Sequence, residues 1–294
     1  MSYFLGIDGG GSNLRVALVG ESLNPIVEAR RGTVNPNVVG FDEAKALIQS
    51  AVQEVLIAGA PLSGVGIGIA GASLAHDWMR DLITEVLPDV PVTTAIDVEI
   101  ALVGAHGARE GVLVLAGTGS VAYGVNAQGE AAQAGGWGYL LGDEGSGYWL
   151  GMQAIRALTQ WADGFDLGAE VLAQRVMARL NLATPREVIR WVYPPSIKEI
   201  AALAPLVLST ADEGDPYAAR IVLGGAWSLS SLVTTVVRRL GVPTLPVAFA
   251  GGLLTADNHL SRDLCNFLSL PTIPLPKYPP VIGAALLAKI MLNK

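Results

Sequence analysis

Short apolar runs and longer amphipathic stretches alternate along the first hundred residues. A strand over Tyr3–Ile7 runs into consecutive glycines, and the spacing of Leu14, Val16 and Leu18 predicts a strand that returns beside it. The other elements predicted for this half are a strand over 25–30, a helix over 43–58 that Asp42 caps, strands over 65–70 and 91–96 with a helix between them, and a helix over 98–105. The element order is therefore βββαβαβα.

The same pattern restarts near residue 111. An apolar strand over Gly111–Ala116 runs into a glycine turn, and alternation from Val121 to Val125 predicts the returning strand. A hairpin repeated about a hundred residues later indicates a duplicated domain. Helices over 144–161, 168–180, 198–211, 216–240 and 280–290 and a strand over 247–250 follow. We predict an α/β chain with domains at 1–110 and 111–294 that pack across a cleft, the terminal helix being free to pack back on the first domain.

Composition narrows the possible partners and compartments. Hydrophobic residues make up 51% of the chain, which is too many for a disordered protein. The net charge of -7 argues against a nucleic-acid partner, which requires a basic face. The single cysteine, Cys265, can form neither an internal disulfide nor a cysteine-based metal site. With no leader pattern and no run of about 18 apolar residues, the sequence predicts a cytoplasmic protein without a membrane partner.

The two glycine turns are candidate phosphate sites. Glycines between strands expose backbone N–H groups that together form an anion-binding nest. Two such turns facing one cleft can hold the phosphates of a nucleotide such as ATP, with Ser12, Thr118 and Ser120 adding hydroxyl donors. Asp8 would repel phosphate unless a cation intervenes, and Mg²⁺ is the natural choice. Ordinary hairpin turns remain the alternative.

The sequence matches one nucleotide fingerprint by letter and lacks another. Residues 66–71 match G-x-G-x-x-G and residues 117–122 match its G-x-G-x-x-A form. That motif requires a strand, a turn and then a helix, whereas the first match lies within a predicted strand and the second is followed by one. The G-x-x-x-x-G-K-[ST] pattern does not occur in the sequence.

Two further segments are candidates for chemistry. Asp97 directly follows the strand over 91–96, and a carboxylate at the carboxyl end of a parallel strand faces the crevice where such sheets bind ligands. It can accept the proton of a sugar hydroxyl that attacks a γ-phosphate, or it can simply cap the next helix. The glycine-rich stretch 135–147 suggests a ligand loop, with the alternative of a structural loop in which Asp143 or Glu144 caps a helix.

These segments together resemble the N-acetylglucosamine kinases and the related BadF/BadG-type ATPases of the actin, hexokinase and Hsp70 fold group. The resemblance covers nearly the whole chain. It is carried by residues 6–12, 33–36, 68–71, 97, 115–120, 135–138, 142–146, 250–252 and 280–285. The block from Gly135 to Ser146 is the most specific.

The resemblance implies two ribonuclease-H-like, actin-like ATPase domains that bind ATP, Mg²⁺ and an amino sugar and yield a sugar 6-phosphate. It implies that Asp8 serves the metal and that Asp97 is the base for the 6-hydroxyl. The implied nucleotide contacts are Asp8, Gly10, Gly11, Ser12, Asn13, Gly117, Thr118, Gly119, Ser120, Gly251 and Gly252. The implied sugar contacts are Asn35, Gly71, Ala72, Ser73, Asp97, Thr118, Gly136, Trp137 and Asp143. Relatives of this fold are commonly homodimers.

The sequence also departs from the family pattern. Asn13 and Leu14 replace a lysine and a threonine, and Glu99 is expected to raise the pKa of Asp97 by its negative charge. The single cysteine excludes the zinc-bearing kinases and the iron–sulfur ATPases of the same group. A sugar sensor without turnover and an ATPase acting on a protein partner remain the alternatives to a kinase.

Overall fold

The structure, a computed structural model, describes residues 2–11, 13–58, 60–72, 74–193 and 197–293. Two predicted site residues, Ser12 and Ser73, lie outside these ranges. The strands are β1 (Tyr3–Gly9), β2 (Leu14–Val19), β3 (Pro25–Arg31), β4 (Leu62–Ile69), β5 (Val92–Ala95), β6 (Gly111–Ala116), β7 (Ser120–Val125), β8 (Ala131–Gly135) and β9 (Val247–Ala250).

The described helices fall in three groups along the chain. The first group is α1 (Pro36–Val39), α2 (Phe41–Val55), α3 (His76–Thr84) and α4 (Asp97–His106). The middle group is α5 (Gly147–Ala162), α6 (Glu170–Leu180), α7 (Val188–Val192), α8 (Ile197–Ala201) and α9 (Ala204–Asp212). The last group is α10 (Pro216–Arg239), α11 (His259–Phe267) and α12 (Pro280–Leu292).

Two sheets organise the described strands. The first has the order β3-β2-β1-β4-β5 and the second the order β8-β7-β6-β9. In the first sheet β1 pairs antiparallel with β2 and parallel with β4, and β4 pairs parallel with β5. The second sheet therefore repeats the order of the first four strands of the first sheet, as a duplicated hairpin-plus-strand unit would.

The chain divides into two compact units. Unit 1 comprises Met1–Leu113, Gly124–Ala131 and Pro276–Lys294, and unit 2 comprises Val114–Tyr123 and Ala132–Leu275. The division into domains at residues 110 and 111 stays a prediction.

Close packing of α12 explains the glycines of β1 and β4 in unit 1. A Cβ added at Gly6 would lie 1.9 Å from the carbonyl oxygen of Val281, and one at Gly66 would lie 1.9 Å from that of Ala284. Only glycine permits such an approach of a helix backbone to a sheet. Because β4 extends to Ile69 and β7 begins at Ser120, both G-x-G-x-x-G/A matches lie in or lead into strands, as the sequence indicated.

Several local predictions were wrong at helix ends. Gly40, not Asp42, occupies the N-cap of α2, and Asp42 lies in the first helical turn. Ser146 caps α5 by accepting from the N–H of Trp149, so neither Asp143 nor Glu144 has that role. The helix predicted over 198–211 is two helices, α8 and α9, because Pro205 lies in the first turn of α9 and starts a new helix there.

Helix α10 is the one described helix that is long and apolar enough to span a membrane, with a mean hydropathy of 1.4. A single helix of this kind is weak evidence for a span, since core helices have the same composition. In unit 2 α10 packs against α9 and α11, and its Leu229, Val233 and Val236 are buried. Trp227 on the same helix is 61% exposed, although the apolar pattern of the helix favours the core for it.

Candidate functional site

The carboxyl edge of the first sheet brings two acids of unit 1 to the same place. Strand register aligns Asp8 of β1 with Gly68 of β4, and Gly68 with Ala95 of β5. Since the three strands are parallel, their carboxyl ends lie at one edge, and Asp97 follows Ala95 by two residues. Neighbouring strands are about 4.8 Å apart, so β1 and β5 are separated by roughly 10 Å.

Asp8 lies in a protein environment that disfavours its charge. Burial is the main cause that raises its pKa from 3.8 to about 6, the charge of Arg15 acts in the opposite direction, and the charge of Asp97 raises the pKa further. The influence of Asp97 means that the two carboxylates are close enough to interact. Arg15 was not identified from the sequence, although the hairpin register places it directly opposite Asp8.

Asp97 is the first residue of α4, one position inside the helix. Ile96 occupies the N-cap position and makes no side-chain cap, so the alternative of Asp97 as a plain N-cap is wrong. Burial raises the pKa of Asp97, while hydrogen bonds from the backbone of Val98 and of Asp97 itself lower it. A half-buried carboxylate with a raised pKa at a strand end is suited to accept a proton.

Glu99 does not have the effect on Asp97 that the sequence suggested. Its carboxylate accepts a 2.7 Å hydrogen bond from Arg109 Nε, and both side chains are largely buried, 13% and 22% exposed. The Arg109 charge compensates Glu99, and burial is the cause that raises the pKa of Asp97.

A bridge of polar groups joins the first glycine turn to the end of β4. Thr33 Oγ1 donates to the carbonyl of Gly11 over 3.1 Å and accepts from the N–H of Asn35 over 3.2 Å. Asn35 caps α1 by accepting from the N–H of Asn37, and Asn37 Nδ2 donates to the carbonyl of Gly71. The segment 33–37 therefore holds two loops at the sheet edge. Asn37 was not identified from the sequence. The sequence feature that could have indicated it is its position two residues after Asn35, the N-cap of α1.

Gly71 must be glycine in this bridge. Its φ is +80°, and an added Cβ would lie 2.3 Å from Asn35 Oδ1. Its neighbour Ala72 is buried and donates its N–H to the carbonyl of Ile69, so its methyl group belongs to the core of unit 1. On the other side of the bridge, Gly11 and Asn13 are exposed and Gly10 is half-buried.

The second glycine turn, in unit 2, is anchored to α5. The N–H of Gly147 donates to the carbonyl of Gly117 over 2.7 Å, and that of Tyr148 to the carbonyl of Thr118 over 3.2 Å. Ser120 Oγ donates to the carbonyl of Glu144 over 2.9 Å. Two carbonyl oxygens that would repel an anion are thus bonded to the helix, which leaves the turn better suited to phosphate.

Asp143 is a buried acid beside this turn, 7% exposed. Its φ of +64° is unusual for a residue with a side chain, and a Cβ at Gly119 would lie 2.6 Å from its Oδ2. Burial raises the pKa of Asp143, and hydrogen bonds from the backbone of Ser120 and Gly138 lower it. The carboxylate therefore contacts the turn and the loop that follows β8.

That loop exposes apolar side chains in unit 2. Trp137 is 75% exposed, and Leu140 and Leu141 are each 78% exposed. Gly136 has a φ of +73° and lies against Gln133 and Val121. The structure thus places Trp137 at the surface, where an aromatic face is available to a ligand.

A pocket of about 270 Å³ lies beside the second glycine turn. It is lined by Gly117, Thr118, Gly147, Lys198, Ala201, Ala202, Pro205, Gly252 and Leu253. Gly251 packs tightly behind it, since a Cβ there would lie 2.2 Å from the carbonyl oxygen of Ala116. Two of the predicted phosphate residues, Gly117 and Thr118, thus meet Gly252 in one pocket of unit 2. Lys198 was not identified from the sequence, because a single lysine within a predicted helix matches no known binding motif.

The predicted site residues form two groups in unit 1 and one group in unit 2. Unit 1 brings together Asp8 and Asp97, and separately joins Asn35 to Gly71; unit 2 brings together 117–120, Asp143 and 251–252. Among the residues that the structure describes, no cluster of three or more His, Cys, Asp or Glu side chains is arranged to hold a metal ion. A metal held mainly by phosphates and water needs only one or two protein carboxylates.

Comparison with known proteins relates nearly the whole chain to one family of ATPases and kinases. The sequence profile of the BadF/BadG/BcrA/BcrD ATPase family matches residues 5–288. An N-acetylmuramic acid/N-acetylglucosamine kinase of Clostridium acetobutylicum is 34% identical over 92% of this chain and 91% of its own length. An N-acetyl-D-glucosamine kinase of Dictyostelium discoideum is 29% identical over 97% of each chain.

A solved structure shares the fold over almost its whole length. It is described as a candidate N-acetylglucosamine kinase from Chromobacterium violaceum and is 28% identical, with a TM-score of 0.68 over 97% of this chain and 98% of that one. This likeness confirms the predicted α/β, actin-like ATPase fold class.

Proposed function

Because the chain belongs to the BadF/BadG/BcrA/BcrD ATPase family, we propose that it uses ATP to phosphorylate the 6-hydroxyl of an amino sugar, N-acetylglucosamine or glucosamine. The names of the two curated relatives support the substrate class. The observation that carries the proposal is the pair of interacting carboxylates, Asp8 and Asp97, at the carboxyl edge of a parallel sheet.

Asp97 is the proposed catalytic base. Its carboxylate accepts the proton of the 6-hydroxyl as that oxygen bonds to the γ-phosphorus, while the bond from the γ-phosphorus to the β–γ bridging oxygen breaks and ADP leaves. Burial, which raises the pKa of Asp97, makes the carboxylate a stronger base than an exposed aspartate. General-base help of this kind is typically worth about 10²–10⁴-fold in rate.

Asp8 is the proposed carboxylate for Mg²⁺. A single desolvated acid whose pKa is raised to about 6 fits a cation that arrives with phosphate and water ligands, because the positive charge would compensate both Asp8 and the triphosphate. When bound, Mg²⁺ would neutralise charge on the transferring group. The chain itself supplies the proposed anion donors, which are Gly10, Gly11 and Asn13 in the first turn and Thr118 and Gly119 in the second. The other two residues of the second turn have their donors engaged, because the N–H of Gly117 donates to the carbonyl of Gly119 and Ser120 Oγ donates to that of Glu144.

Sugar contacts are proposed for two sets of residues. In unit 1 these are Asn35 and Gly71, which the Thr33 bridge holds at the sheet edge, with Ala72 contributing backbone only. In unit 2 they are Thr118, Gly136, Trp137 and Asp143. Gly251 and Gly252 are the proposed contacts to the adenosine of the nucleotide.

We also propose that the protein is a homodimer, which light scattering on the purified protein would test.

The decisive experiment is an ADP-release assay with ATP, Mg²⁺ and a panel of hexoses and amino sugars. We expect release with amino sugars and a sugar 6-phosphate by mass spectrometry. Thermal stabilisation by a sugar without ADP release would indicate a sensor instead, and ATP hydrolysis that sugars do not change would indicate an ATPase with another partner.

Asp97→Asn tests the assigned base within the same assay. It should lower kcat by about 10²–10⁴-fold and leave ADP affinity within about twofold, because asparagine keeps the size of the side chain but accepts no proton. Glu99→Gln, which removes an acid two residues away, is the matched control and should retain most activity. A variant Asp97→Asn with near-normal kcat would show that another group is the base.

A further inference from the structure

Lys198 is the only charged residue that lines the pocket beside the second glycine turn, among the residues that the structure describes. We propose that Lys198 binds the polyphosphate of the nucleotide while the neighbouring apolar wall receives the base. This inference rests on the proposed function, since it assigns a residue to the nucleotide of that reaction.

The pocket has the composition of a nucleotide site. Ala201, Ala202, Pro205 and Leu253 form an apolar wall, and Gly117, Thr118 and Gly252 form a backbone wall. A Cβ added at Gly117 or at Gly252 would meet no atom within 4 Å, so the backbone at both positions faces open space. A planar base can lie against the apolar wall, and phosphates can approach the bare backbone.

Lys198 is held in a fixed relation to the glycine turn because one helix binds both. The first N–H groups of α5 donate to the carbonyls of Gly117 and Thr118. One turn further along α5, a Cβ at Gly151 would lie 1.9 Å from the carbonyl oxygen of Ile200 in α8. This close approach of two backbones fixes α8, and Lys198 with it, beside the turn.

The charge of Lys198 is available for a ligand. Its side chain is exposed, and among the described residues its ammonium forms no ion pair. In a chain of net charge -7, an unpaired cation beside a turn whose carbonyls are engaged creates a local site for an anion. Lysine serves phosphate as a point charge on a flexible stem.

The test measures binding of ADP and of adenosine by calorimetry. Lys198→Ala should weaken ADP binding about tenfold, the equivalent of one charge-assisted hydrogen bond, and leave adenosine binding within about twofold. Lys198→Arg should restore most of the ADP affinity. Arg190→Ala removes an exposed positive charge from α7 and is the matched control for net charge, with an expected change below about twofold.

Two results would overturn the assignment. One is ADP affinity in Lys198→Ala within about twofold of the wild type; the other is an equal loss for ADP and adenosine, which would indicate a change in the shape of the pocket. An unchanged Tm of Lys198→Ala excludes misfolding as the cause of any loss. Because the readout is nucleotide binding, a protein that phosphorylated no sugar would refute the proposed function and would still give a result here.

Discussion

Replacing Asp8 with asparagine should make the protein more stable and inactive at the same time. Burial raises the pKa of Asp8 to about 6, against an ordinary value of 3.8. Asparagine has nearly the same shape and cannot ionise, so it imitates the protonated acid. The variant therefore measures how much the charged form of Asp8 lowers the free energy of unfolding.

The size of the effect follows from the two pKa values. Each unit of difference between the folded and unfolded pKa values corresponds to about 1.36 kcal/mol, so the shift of Asp8 corresponds to about 3 kcal/mol in the free energy of unfolding. We expect ~2 kcal/mol, because the half-buried side chain keeps part of its hydration. This is a large fraction of the usual free energy of unfolding, about 5–15 kcal/mol.

The direction with pH is fixed by linkage. The folded protein holds the Asp8 proton more tightly than the unfolded chain, so this stabilisation is complete below pH 3.8 and is lost as the pH rises through about 6. The asparagine side chain of the variant does not titrate and loses nothing. The stability gap between Asp8→Asn and the wild type should therefore be much smaller near pH ~4.5 than at pH ~7.5, where it reaches its full value.

Urea unfolding followed by fluorescence of the six tryptophans measures this gap at both pH values. Asp89→Asn is the control, since Asp89 is exposed and such surface changes are usually within about 0.5 kcal/mol. Asp8→Asn should also abolish ADP release in the presence of Mg²⁺. An Asp8→Asn variant that is less stable than the wild type at the higher pH, or a gap that does not change with pH, would refute the reasoning.

Two further predictions concern unit 2. Gly252→Ala should keep the wild-type Tm, since the added Cβ meets open space, but should weaken ADP binding about tenfold because the methyl group fills part of the pocket. Gly251→Ala at the neighbouring position should lower the free energy of unfolding by about 1–3 kcal/mol, because Gly251 has a φ of +84° and the added Cβ would clash with Ala116. Equal Tm values for the two variants would contradict this prediction. Asp143→Ala should lower stability by about 1–3 kcal/mol through lost hydrogen bonds and a φ of +64°. Asp143→Asn should lose less in the same unfolding assay, because asparagine tolerates this backbone conformation, and identical losses would contradict the assigned role.

Local periodicity predicted most of the regular elements, because the apolar face of a helix or strand is formed by residues that lie close together in sequence. The strands around Asp8 and before Asp97, the second hairpin and α10 all follow from such patterns. Most of the elements that were missed or merged are short or start at a proline: β8 has five residues, α8 has five, and α9 begins beside Pro205. In segments of this length tertiary packing decides the conformation. The exception is α11, a helix of nine residues that was missed although Asn258 caps it.

The candidate site divides in the same way. Residue types and strand ends were sufficient to single out Asp8, Asp97 and the glycine turns. Lys198, Arg15 and Asn37 were not found, because each matters only through a neighbour that lies far away in sequence or on the facing strand. Glu99 shows the reverse case, since proximity in sequence to Asp97 suggested an influence that its ion pair with Arg109 removes.

The sequence by itself determined which backbone would be bare of side chains and which carboxylates would end strands, since both are properties of residue type and local period. Only the tertiary structure explains why residue 66 is glycine, since α12 contacts the strand at that position. Only the tertiary structure, likewise, shows that burial raises the pKa of Asp8 and that the charge of Arg109 compensates Glu99. The physical reason is that burial and charge pairing depend on distances between segments remote along the chain, which no local pattern contains.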